Sequence, residues 1–149
     1  MTVRSASGLA GTFAALLLAA ALARPALASP EQDYILYCMG CHGATAQGVP
    51  GKVPPLAGAL ARFMRTSDGR NYLLRVPGAA NSVLTDAQLA EVLNWLAERY
   101  RSPEDPPPEP FTVQEVSAVR RTPLADVHAR RSEVVRALAA SGASPASTY

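Results

Sequence analysis

The sequence predicts an all-α fold, and three observations carry that prediction. Helix-start signals recur as Ser or Thr followed three residues later by Gln or Glu: Ser29 with Gln32, Thr85 with Gln88, and Thr112 with Glu115. In such a pair the hydroxyl accepts from the third amide of the helix while the longer side chain reaches back to the cap's own amide. Apolar residues also recur at three- and four-residue spacing, clearest in Leu89, Val92, Leu93, Leu96 and Tyr100, which is the period of one helix face. No strand-rich segment surrounds the two cysteines, and the chain has no internal repeat.

The elements follow in order. Residues 1–28 read as a secretory signal peptide: Arg4 gives a positive start, 9–23 is mostly apolar, and Ala26-Leu27-Ala28 is a small-x-small cleavage site. The apolar stretch is shorter than a membrane span needs, so the mature chain is expected to begin at Ser29 with no transmembrane anchor. Ser29-Pro30-Glu31-Gln32 opens the first helix, with Pro30 at the tolerated first position. Gly40, Gly43, Gly48 and Gly51 make 43–55 a loop. Short helices are expected over 56–64 and 71–76. Thr85 and Gln88 start the clearest helix, with Leu84 and Leu89 as a hydrophobic staple and Trp95 packed among its apolar residues. Residues 103–110, with three acids and no base, read as a stiff Pro-rich acidic linker. Beyond it Thr112 and Glu115 start one helix, stapled by Phe111 and Val116, and Thr122-Pro123 a second, with Leu124, Val127, Val134, Val135 and Leu138 on one side. The expected organisation is therefore a domain over 29–102, a linker over 103–110, a helical extension over 111–140 and a disordered tail over 141–149.

Charge excludes one class of partner. Without Arg4 and Arg24, the fourteen Lys and Arg fall to twelve, against twelve Asp and Glu. A neutral chain with no basic run is not a nucleic-acid binder.

The chemistry lies in Cys38-Met39-Gly40-Cys41-His42, a C-x-x-C-H sequence that holds both cysteines and one of the two histidines of the 149-residue chain. This is a c-type haem attachment site. Two thiols one helical turn apart reach the two vinyl groups of one porphyrin, and the histidine beside the second thiol is held under the iron as proximal ligand. Competing readings explain less. A structural zinc site needs four ligands, which only Cys38, Cys41, His42 and the distant His128 would supply. A thioredoxin-like dithiol wants a βαβ setting, and a plain disulfide leaves His42 without a role. Haem attachment takes place outside the bacterial cytoplasm, so leader and motif both imply the periplasm.

On these residues the segment 29–102 resembles the small monohaem class I cytochromes c. The attachment site follows an N-terminal helix, Val53-Pro54-Pro55-Leu56 stands downstream, and Asn94-Trp95-Leu96 lies in the last helix of the segment. The resemblance implies a class I cytochrome c-like helical fold around one covalent haem c, here with a short helical C-terminal extension. It implies crossed first and last helices beside the haem, at Tyr34, Tyr37, Trp95 and Leu96. It also implies a Pro54 carbonyl that orients the proximal imidazole, and electron transfer with a partner oxidoreductase rather than catalysis. The family usually places a distal Met in a loop before the last helix, but residues 77–84 contain none and are short. Candidates for the sixth iron ligand are Met64, His128, Asn81, water or none. An open distal position would instead suit small-ligand binding or peroxidase-like chemistry.

Overall fold

The computed structural model describes residues 28–122 and 124–142, so the leader over 1–27, Pro123 and residues 143–149 lie outside the described residues. Eight helices are described: α1 (Pro30–Tyr37), α2 (Met39–His42), α3 (Leu60–Phe63), α4 (Ser67–Arg75), α5 (Pro77–Ala80), α6 (Asp86–Arg99), α7 (Val113–Val119) and α8 (Val127–Ala140). Among the described residues extended pairing is confined to one isolated bridge, Val49 with Val53. The fold is all-α.

Local chemistry starts these helices where the sequence places the caps. Ser29 Oγ accepts from Gln32 N at 3.3 Å and Gln32 Oε1 accepts from Ser29 N at 2.9 Å. Thr85 and Gln88 make the same reciprocal pair at 3.2 and 3.1 Å. Thr112 caps α7 through Glu115 N. The carboxylate of Glu115, however, is taken by Arg70, whose Nε lies 2.7 Å from Oε1.

Three boundaries differ from expectation. The helix expected over 56–64 is regular only over Leu60–Phe63, because Gly58 takes φ +68, outside the helical region, and gives its amide to Tyr100 O. The helix expected over 71–76 begins earlier, at Ser67, with Thr66 as its cap. Gly69 permits this start: a Cβ there would stand 2.0 Å from the carbonyl oxygen of Phe63. The last helix begins at Val127, not at Thr122-Pro123, and Asp126 caps it by accepting from Ala129 N at 2.9 Å.

α1 packs on α6, and α4 on α8. One cluster joins Tyr34, Leu60, Phe63, Leu74, Val92 and Leu96 with Phe111, Val116, Val134 and Leu138 from the C-terminal segment. Each such side chain contributes about 1.5–3 kcal/mol by leaving water. Polar contacts fix the same arrangement. Arg62 Nε meets Asp105 Oδ2 at 2.7 Å, Asn94 exchanges two hydrogen bonds with the backbone of Phe111, and Arg70 Nη1 reaches the Glu109 carbonyl at 2.6 Å. The acidic segment is thus tied along the body by arginines. Arg120, only 1% exposed, donates to Leu84 O at 2.7 Å, to Asp86 Oδ1 at 2.9 Å and to Ser82 O. It locks α7 to the connection between α5 and α6.

Candidate functional site

α1 ends at Cys38, whose amide donates to Tyr34 O at 2.9 Å. The short α2 then carries Cys41 and His42, both of whose amides donate to Cys38 O. That single turn sets both thiols and the imidazole on one wall. Cys38 is half-buried, Cys41 is exposed, and the two are not disulfide-bonded. Burial, with Asp33 and Cys41 adding to it, raises the Cys38 thiol above its usual range.

The loop after α2 positions the partner of His42. Gly48 N donates to His42 O at 2.8 Å, and Val49 and Val53 pair across a tight turn. Gly48 has φ +67, and a Cβ there would stand 2.2 Å from Val53 O, so only glycine fits. Tyr34 donates its hydroxyl to Gly43 O, closing the loop onto α1. These constraints bring the Pro54 carbonyl to 3.1 Å from His42 Nδ1. A carbonyl only accepts, so Nδ1 carries the proton and Nε2 keeps its lone pair. Burial lowers the imidazole below its usual value, although the Pro54 contact opposes this, and so favours the neutral, ligand-competent ring.

Cys38, Cys41 and His42 face a cavity of about 310 Å³. Its other walls are mainly apolar: Val53 to Leu56, Leu60 and Phe63, Tyr72 and Leu73, and Leu89, Val92, Leu93 and Leu96 from α6. The connection after α4 adds Val76 to Ala79 and Ser82, and α8 adds Val127, His128 and Arg131.

The candidate distal residues part company here. Met64 is buried in the core and lies on a separate surface groove beside Arg70 and Leu74, away from this lining. Asn81 is also absent from the lining, whereas His128 is part of it. Among the described residues no group of three or more His, Cys, Asp or Glu is placed to hold a metal ion by itself, so the zinc set is not assembled. Arg131 went unseen in the sequence. It is 6% exposed, and its guanidinium lies 5.3 Å from the centroid of Phe63. The available signal was a charge at helical spacing inside the Val127–Val134 apolar face.

No protein-family model matches the chain. Over 106 residues it is 33% identical to a cytochrome c-552 of Thermus thermophilus, an alignment covering 58% of this chain and 81% of that protein. A second cytochrome c-552 of the same organism is also 33% identical, with 72% of its length covered. This chain is a monohaem class I cytochrome c. The cytochrome is a haem electron carrier, and its cofactor is one covalently bound haem c.

The cavity's chemistry fits that group. Apolar walls suit a porphyrin face, two unbridged thiols stand one turn apart, and the imidazole between them and Pro54 has one nitrogen tethered and one available. Among the described residues no helix is long and apolar enough to cross a membrane. The crossing of first and last helices implied by the family is carried by Tyr34 and Trp95, whose ring centroids are 5.8 Å apart. Trp95 also meets Tyr100 edge-on at 6.2 Å, which makes it a packing residue of the cytochrome rather than part of the cavity lining.

Proposed function

We propose that this cytochrome is a periplasmic one-electron carrier in which Cys38 and Cys41 hold the haem through thioethers and His42 is the proximal ligand. The observation that carries the reading is the contact of His42 Nδ1 with Pro54 O at 3.1 Å, in a cavity flanked by both thiols. Each thiol would add across one vinyl group, with a carbon–sulfur bond formed and the thiol hydrogen passed to the neighbouring vinyl carbon, so no oxidant is required. The haem, when bound, supplies an iron that alternates between two oxidation states.

The chain's own residues do the rest. Pro54 O fixes the plane and tautomer of His42, the role a tethering acceptor plays for metal-bound imidazoles. Leu60, Leu73, Val92 and Leu96 keep water from the cavity. Cys41 and Tyr37 are exposed on the attachment side, which is where a partner oxidoreductase would approach. The leader over 1–28 and the extracytoplasmic chemistry of haem attachment support the periplasm. Residues 29–102 carry the attachment site, the arginine-tied segment 103–110 follows, and the extension over 111–140 completes the cavity through Val127, His128 and Arg131.

Two measurements test this. Protein purified from the periplasm should keep its haem absorbance and haem stain after denaturation in SDS, and C38A/C41A should lose both. Haem that extracts into acid–acetone from the unaltered protein would refute the attachment. The purified cytochrome should also exchange one electron per haem reversibly with a small-molecule mediator. A protein that takes no electron from any mediator but turns over peroxide would refute the carrier reading.

A further inference from the structure

The haem cavity takes its lining from both ends of the chain, and the N-terminal turn of α8 is part of it. We propose that His128 on that turn is the sixth, distal ligand of the haem iron, so that the cytochrome is a bis-histidine protein. The inference rests on the proposed attachment at Cys38, Cys41 and His42.

Donor chemistry narrows the choice. A porphyrin and one proximal imidazole leave iron a single further position. Outside the attachment segment, the nitrogen-bearing side chains on the lining are Lys52, His128 and Arg131, and no methionine is among them. Ammonium and guanidinium groups lack a lone pair. Lys52 also lies in the loop that leads to Pro54, on the side of His42. His128 is the imidazole that reaches the cavity from another element.

α8 is held firmly enough to place it. Arg130 Nη2 meets Asp68 Oδ1 at 2.7 Å, and Val134 and Leu138 are 1% and 0% exposed. The guanidinium of Arg131 stacks on Phe63 from the same helix face, one turn from His128. Just before the helix, Thr122 O accepts from Arg75 Nε at 2.7 Å. α8 is therefore docked through its length onto α3 and α4, which also line the cavity. His128 itself is exposed. Cys41, which lines the same cavity, is exposed as well, so exposure does not separate a residue from the lining.

The nearest connection offers no competitor. Residues 77–80 are Pro-Gly-Ala-Ala, without a donor side chain, and Arg120 pins the following turn through Ser82 O and Leu84 O.

The test uses the full-length haem-loaded protein, H128A, H128M and, for packing, H128Q. Covalent haem is first confirmed by stain after SDS; its loss in the unaltered protein would fault the attachment and not the distal assignment. The unaltered protein should be low-spin in both oxidation states and slow to bind carbon monoxide. H128A should become high-spin, bind carbon monoxide at least tenfold faster, and return to low spin with added imidazole. H128M should stay low-spin with a higher midpoint potential, since a thioether ligand favours the ferrous state. If H128A does not fold, H128Q reports the same loss of ligation with the side-chain volume kept. An unaltered protein that is high-spin and binds carbon monoxide at once overturns the proposal. So does a low-spin spectrum that H128A and H128Q leave unchanged.

Discussion

Arg120 offers the sharpest test of how the C-terminal helices support the haem domain. Its guanidinium is 1% exposed and donates to Leu84 O, Asp86 Oδ1 and Ser82 O. Arg120→Met keeps the volume of the stem and removes every donor. Breaking a buried charged pair from one side costs about 3–5 kcal/mol. Two features reduce that figure. The Asp86 side chain is 25% exposed and can rehydrate, and it sits in the first turn of α6, where the helix N-terminus stabilises an anion. The two carbonyls keep most of their penalty, at about 1–3 kcal/mol each when left without a donor. We expect a net loss of about 3 kcal/mol, which for a domain of this size lowers Tm by roughly 10–15 °C. Thermal unfolding of the haem-loaded protein, followed by far-UV circular dichroism, measures it. Arg121→Met is the control: Arg121 is exposed, and surface changes stay within about 0.5 kcal/mol. If Arg120→Met melts within about 3 °C of the unaltered protein, the buried arginine does not brace the connection between α5 and α6.

Two further outcomes are expected. Gly48→Ala forces a side chain at φ +67 onto the Val53 carbonyl, which should cost at least about 2 kcal/mol and disturb the His42 environment; an unchanged Tm and an unchanged haem spectrum would refute the close-approach argument. Burial, with Tyr100 adding to it, raises the Tyr34 hydroxyl above its usual 10.0. The folded state therefore holds this proton more tightly than the unfolded chain, and the stability it contributes is full below about pH 10 and lost as pH rises through the folded value. Tyr34→Phe should flatten the fall in Tm between about pH 9 and 11 at a cost of about 1 kcal/mol at neutral pH; parallel pH profiles for the two proteins would refute this.

What the sequence made legible was local. The C-x-x-C-H pentapeptide sits within one turn, and the capping pairs Ser29–Gln32 and Thr85–Gln88 involve residues three apart, so these local patterns can be read before anything folds. Thr66 was hidden because its helix can start only where Gly69 meets the Phe63 carbonyl, a contact that depends on packing. The last helix was misplaced for the opposite reason: Thr122-Pro123 is a good local start, but Thr122 O is occupied by Arg75 and the cap passes to Asp126. Buried charges were invisible for the same cause. Arg120 finds acceptors 34 to 38 positions away, and Asp33, 1% exposed, meets Gln88 across 55 positions. The apolar face of α8 was readable, but its neighbour in space was not. His128 therefore stood as one candidate among several until the cavity lining separated it from Met64 and Asn81.

The placement of His42 and His128 on the lining of one cavity also bears on the unfolded chain. A metal gripped by both ties together two points far apart in sequence, as a disulfide does. For a loop of roughly 86 residues, chain-entropy arguments put the effect of such a tie at about 4–5 kcal/mol. Ligation by His128 would thus do more than set a potential: the cofactor would restrict the unfolded ensemble, and whatever weakened the distal bond would loosen the whole chain.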